Sequence, residues 1–303
     1  MCRWWNLSGD TRRQVKSDPK FASLPKSFWA AVRTVSQRVG YTSRGKSQVK
    51  VPSADEIRRA FEELNLNPDH IGEAGNSTSL LSALLAYYEH RAEILNSFVE
   101  PRLMDAERAK IQFDTLKKEL RPSRPIPLNK QKGKKKKPAY FTGMVNMLIE
   151  ANLDGLPCDY DPRQLTTVTK SGIPLRTLAR RVDGAFPSAV NPIAIWEIKE
   201  YYYTTTFGSR VADGVYETLL DGMELEELRE HEKAKILHYL MLDSHFTWWE
   251  CGKSYLCRII DMLHMGYTDE VLFGYEVIER LPELVRSWTN LAERIVKSSD
   301  QDS

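Results

Sequence analysis

Two carboxylates and a lysine stand out: Asp183, in Arg180-Arg181-Val182-Asp183-Gly184, and fourteen residues later the triplet Glu197-Ile198-Lys199. In an extended strand residues i and i+2 share a face, so Glu197 and Lys199 point together while Ile198 goes to the opposite, apolar side. The turn-forming stretch Gly184–Pro192 lets its flanking segments pair as a hairpin, which brings Asp183 to Glu197 across the ladder. Burying two carboxylates beside one lysine is costly. A magnesium-type ion offsets that cost, because hard cations take carboxylate oxygens plus several waters. Such a group can hydrolyse a phosphodiester: the ion polarises a phosphate oxygen and acidifies a bound water, and the Lys199 ammonium orients the nucleophile or stabilises developing charge. Glu150, on a helix upstream, is a supporting carboxylate or a ligand for a second ion, whereas Glu200 faces away from Glu197. The only other (Asp/Glu)-x-Lys triplet, Asp18-Pro19-Lys20, carries a proline and cannot sit in a central strand. A half-exposed strand with an ion pair on its polar face is the competing structural reading. The apolar character of the strand favours chemistry, since a buried ionisable group needs a reason.

The elements that must position these residues follow from periodicity. Before residue 121 the pattern is helical: Phe28 to Val39, a helix capped by Ser53 with Glu56 in the capping-box position, Leu80 to Leu95, and Asp105 to Leu120. Residues 121–138 (RPSRPIPLNKQKGKKKKP) combine prolines with a lysine cluster and predict a flexible basic connector. From 139 onwards a short apolar helix, Gly143 to Asn152, precedes β-type runs at Leu165 to Thr169, Leu178 to Phe186, Ile193 to Tyr203 and Ile236 to Leu242. A helix from about Val211 to Leu220 lies between the last two. Phe246 to Met265 and Leu281 to Val296 read as helices, and Glu270 to Ile278 as an added strand. This order predicts an α/β chain in which a mixed β-sheet is flanked by helices, preceded by a mainly helical region at 1–120.

These residues resemble the PD-(D/E)XK nuclease superfamily, the restriction endonuclease-like folds, over roughly Gly143 to Leu242, in the order of elements as well as in the triad. The resemblance implies that Asp183 and Glu197 bind Mg2+, that Lys199 is the catalytic lysine, and that Glu150 is the helical acid found upstream. Val182 stands where that family's pattern has proline. Trp196 to Tyr203 and Tyr216 to Gly222 look similar to stretches of type II restriction endonucleases. The implied activity is magnesium-dependent, sequence-specific cleavage of double-stranded DNA by a homodimer matched to a palindromic site. A repair or phage-defence nuclease without strict sequence preference, and a DNA-binding protein without catalysis, are the alternatives.

Charge supports a polyanionic partner. Residues 1–137 carry 27 Lys and Arg against 15 Asp and Glu, and residues 138–303 carry 16 against 26, although the net charge is only +2. A basic half attracts nucleic acid and an acidic half holds cations, unless the two halves simply dock on each other. Arg38, Arg44, Lys46 and Lys50 lie in an acid-free stretch suited to phosphates or base edges, and equally to an ordinary polar loop. Lys134, Lys135, Lys136 and Lys137 are the connector's candidate phosphate contacts; a solvated linker or a nuclear localisation signal has the same composition. The N-terminus lacks the apolar centre of a secretory signal, and no run of about 18 uncharged apolar residues occurs, so a cytoplasmic chain without a membrane span is expected. Four cysteines without a CxxC pair argue against a zinc ribbon, and the lack of a Walker or GxGxxG loop argues against a nucleotide cofactor.

Overall fold

Capping residues set where the N-terminal helices begin in the computed structural model, which describes residues 15–42, 47–73, 76, 79–129, 136–203 and 208–301. A single turn, α1 (Pro19–Ala22), starts at Asp18, whose carboxylate accepts the Lys20 amide at 2.8 Å. α2 (Lys26–Val39) follows. α3 (Ala54–Glu63) carries the expected capping box: Ser53 Oγ accepts from the Glu56 amide at 3.2 Å, and the Glu56 carboxylate accepts from the Ser53 amide at 2.9 Å. α4 (Leu80–Glu93), capped by Ser79, runs on through a π-helical stretch, Ile94–Val99, into the short α5 (Glu100–Arg102). Val32 and Val35 of α2, Ile57 and Phe61 of α3 and Leu84 and Tyr87 of α4 close one core.

α6 (Ala106–Leu120) does not join that core. Its apolar face, Ala109, Phe113 and Leu116, packs on α7 (Tyr140–Asn152), where Gly143 leaves room for the Phe113 ring. α6 therefore shares a core with elements on the far side of the 121–138 segment, where composition places a boundary. The described parts of that segment, 121–129 and 136–138, are more tied down than the composition predicts. Its two arms bond to each other, Asn129 N–H to Lys137 O and Ala139 N–H to Pro127 O, both at 2.9 Å.

Two sheets form beyond α7. β1 (Thr167–Lys170) and β2 (Ile173–Thr177) make an antiparallel hairpin. The larger sheet has the order β3 (Gly184–Phe186), β4 (Ala194–Glu200), β5 (Leu237–Asp243), β6 (Glu270–Phe273); β3 is antiparallel to β4, and β4, β5 and β6 are parallel. The chain is thus α/β with a mixed sheet. α8 (Ser209–Glu232) crosses from β4 to β5, α9 (Lys253–His264) from β5 to β6, and α10 (Glu276–Gln301) ends the fold.

Several boundaries differ from the periodicity. Residues 178–183 are not strand: the Ala179 amide donates to the Glu224 carboxylate at 3.0 Å and the Arg180 guanidinium to other side chains of α8, so residues 179 and 180 are held by that helix. The helix expected over 211–220 runs three turns further. The helix expected over 246–265 is broken at Gly252, whose missing Cβ lets the Thr247 carbonyl approach. β6 stops at Phe273 because the next residue, Gly274, turns at φ +51° and Glu276 opens α10 while accepting the Phe273 amide at 3.1 Å. Tyr201 to Tyr203 lie past the end of β4.

Alternation assigns the two faces of β4. Trp196 stacks on Trp288 of α10, with ring centroids 5.6 Å apart and planes 12° from parallel, and shares a core with α6 and α7. Ile195 packs instead against Leu225 and Leu228 of α8. Glu197 and Lys199 follow Ile195 on the α8 face, and Ile198 follows Trp196 on the other. Among the described residues no helix is long and apolar enough to cross a membrane.

Candidate active site

Pairing of β3 with β4 sets Asp183. Gly184 lies opposite Trp196, so the next step of the register brings Asp183 beside Glu197; the Asp183 amide donates to Trp196 O at 3.1 Å and its Oδ2 accepts the Ile198 amide at 2.8 Å. This register demands glycine at 184, because a Cβ there would collide with the Trp196 indole. Gly184→Ala is expected to cost about 1–3 kcal/mol of stability through overpacking and to shift Asp183 off Ile198. Urea denaturation checks it; an unchanged midpoint would mean that Trp196 yields freely.

A second layer comes from α8. Lys199 Nζ donates to Glu197 Oε2 at 2.8 Å and to Glu217 Oε2 at 2.7 Å. Glu217 and Asp221 sit one helical turn apart, and Gly214, a turn earlier, lets α8 pass over the Lys199 stem. Arg180 enters from the loop before β3. Its NH1 donates to Asp221 Oδ2 at 2.6 Å, and its NH2 to Glu197 Oε2 at 3.1 Å and Glu217 Oε2 at 3.3 Å. NH1 also lies 2.8 Å from Glu197 Oε1, but off the direction of its N–H bonds. Glu197 Oε1 and Asp221 Oδ1 are consequently buried without a hydrogen-bond donor among the described residues.

The charges do not balance. Asp183, Glu197, Glu217 and Asp221 face Arg180 and Lys199, which leaves a formal excess of two negative charges. Burial, followed by the Glu197 charge, pushes the Asp183 carboxyl up to about 6 and that of Asp221 up to about 7. Glu197 is itself fully buried, and burial opposes its ionisation, yet Lys199 and Arg180 outweigh that and hold it below the usual carboxylate range. Lys199 likewise stays protonated: burial works against the charge, and Glu197 and Asp183 overcome it. A formal excess of two negative charges among four clustered carboxylates is donor chemistry that fits a hard divalent cation. Among the described residues no three His, Cys, Asp or Glu side chains form a ready-made cage. Magnesium does not require one, since it uses one or two protein carboxylates and completes its shell with water and phosphate.

Residues 104–288, more than half of the chain, match the domain of unknown function DUF7687. The chain belongs to the DUF7687 family. Residues 15–98 match a second domain of unknown function, DUF7690. No curated protein and no solved structure matches. In the stretch between the two matched segments, 99–103, Val99 and Leu103 are buried with residues of β5, β6 and α9. Arg180, Asp183, Glu197, Lys199, Glu217 and Asp221 all lie in the DUF7687 segment.

Glu150, also in the DUF7687 segment, is not brought to this cluster. It sits near the end of α7, where its Oε1 accepts the Ser123 amide at 3.0 Å and the Ser123 hydroxyl. α7 covers the Trp196 face of the sheet, whereas Glu197 and Lys199 point to the α8 face. It is Glu200, on the α7 face, that reaches this helix, accepting from the Thr142 amide at 3.0 Å and its hydroxyl at 2.9 Å. The helical acids beside the triad are instead Glu217 and Asp221. Their i, i+4 spacing, with Arg180 three residues before Asp183, is the signal the sequence carries for them, and a helix ending at Leu220 leaves Asp221 outside it.

The candidate DNA contacts divide. Arg38 and Lys50, in the DUF7690 segment, are each engaged by a carboxylate, Arg38 with Glu63 and Lys50 with Glu56. Lys136 is exposed, and Lys137 lies 5.3 Å above the Tyr203 ring. Arg44, Lys46, Lys134 and Lys135 lie outside the described residues.

Proposed function

We propose that the protein is a magnesium-dependent endonuclease of the restriction endonuclease-like kind, hydrolysing phosphodiester bonds of double-stranded DNA. The observation that carries this reading is the convergence of Asp183, Glu197 and Lys199 at the paired β3 and β4. The strand order supports it: an antiparallel pair with Asp183 just before its first strand and Glu197 on its second, then a helix leading to a parallel third strand. Asp183 and Glu197 would hold the ion, which when bound polarises a phosphate oxygen and lowers the pKa of a water. Lys199, kept protonated by its carboxylate neighbours, presents positive charge where negative charge develops on the phosphate. Glu217, with its side chain 40% exposed, is the most open carboxylate of the cluster and steadies the ammonium from the solvent side. The basic character of residues 1–137 and the exposed Lys136 supply attraction for the DNA backbone. Cutting both strands at one sequence calls for two copies related by a twofold axis, and the chain is proposed to work as a homodimer.

Purified protein incubated with plasmid is expected to give discrete fragments with Mg2+ and none with a chelator. A smear would convert the proposal to a nuclease without sequence preference. Intact plasmid under all magnesium conditions, together with retained DNA binding, would leave a binding protein and reject the hydrolase.

A further inference from the structure

We infer that Arg180 is a resident counter-ion that a divalent cation must move off Glu197, and that Asp221 is the berth that receives it. The inference rests on the metal-dependent reading above and concerns how cation entry at that site is controlled.

Both Glu197 oxygens face nitrogen cations: Oε1 lies 2.8 Å from Arg180 NH1, while Oε2 accepts from Arg180 NH2 at 3.1 Å and from Lys199 Nζ at 2.8 Å. Asp183 has committed Oδ2 to the Ile198 amide. A magnesium-type ion binds carboxylate oxygen at about 2.0–2.1 Å, so at Glu197 it competes with the guanidinium for the same oxygen, and the two positive charges repel. Lys199 is the less mobile of the two nitrogen cations, because its stem is wedged against Gly214 and its side chain is only 8% exposed. Arg180 is 22% exposed and sits on the irregular stretch before β3.

The place for it to go is already formed. Arg180 holds Asp221 Oδ2 at 2.6 Å, and Asp221 Oδ1 is buried with no donor among the described residues. A small shift turns the one-armed contact into a two-armed fork on Asp221, the strongest geometry available to arginine and carboxylate. Arginine then stays in the cluster, and the dication cancels the excess of two negative charges. The displacement lowers cation affinity in the resting protein and sets a threshold for activation.

The test uses the full chain and Mn2+ or Mg2+ alone, without DNA. Titration calorimetry is expected to show that Arg180→Gln binds Mn2+ roughly 10- to 100-fold more tightly than the unaltered chain. Glu197→Gln should abolish that binding. Arg180→Lys keeps the charge and the fold but cannot fork two carboxylates, and is expected to fall between. In the unaltered chain the Arg180 Nε–H resonance, assigned by its loss in Arg180→Lys, should move when Mg2+ is added. Equal affinities in all folded Arg180 variants, with binding still dependent on Glu197, would overturn the inference and leave the hydrolase reading standing. No cation binding in any variant would overturn both.

Discussion

Lys199→Ala keeps the fold and the DNA affinity of the unaltered chain and loses cleavage by roughly 10²- to 10³-fold, the usual cost of removing one preorganised donor to developing charge. Stability should be largely spared, because Glu197 retains the Arg180 guanidinium and Glu217 is half-exposed. Arginine is not a substitute. A guanidinium is larger than the ammonium, and α8 passes so close at Gly214 that a single Cβ there would lie 3.2 Å from Lys199 Cδ. Single-turnover cleavage, with fluorescence anisotropy for DNA binding and circular dichroism for the fold, separates these effects. Full cleavage by the alanine variant would falsify the role given to Lys199. Lost DNA binding in a folded variant would reassign it to binding.

The largest effect on stability is expected from a site far from this chemistry. Arg91 of α4 and Asp261 of α9 form a buried ion pair, with Arg91 NH1 donating to both carboxylate oxygens at 3.0 and 3.2 Å. Tyr87 adds a hydroxyl donor to Asp261, and the Arg91 guanidinium lies 4.9 Å above the Tyr88 ring. The pair joins the N-terminal helical core to the helix behind β5 and β6. Asp261→Ala strands a guanidinium in this interior and is expected to cost about 3–5 kcal/mol. Replacing both partners with apolar residues of similar volume should recover most of the loss, since no charge is then left uncompensated. Urea denaturation of Asp261→Ala and of the double variant measures this. A loss under about 1 kcal/mol in Asp261→Ala would show that the guanidinium reaches water, contrary to its burial.

What the amino-acid sequence determined alone is what depends on neighbours a few residues away. The capping box at Ser53 and Glu56 is local hydrogen bonding, and the alternation that aligns Glu197 with Lys199 is the geometry of one strand. The turn-rich 184–192 segment, with glycine beside Asp183, was enough to place that carboxylate at Glu197. Tertiary structure alone decided the rest of the cluster. Glu150 and Glu217 both lie on helices near the triad in sequence, and neither pattern states which face of the sheet its helix will cover. Packing sent α7 to the Trp196 face and α8 to the other, so Glu150 was lost to the site while Glu217 and Asp221 joined it. Arg180 shows the same limit: its stretch has strand-like composition, but the carboxylates of α8, more than forty residues on, draw it out of the ladder. A side chain's partners across such a distance follow from how whole faces bury apolar surface, which no local pattern encodes.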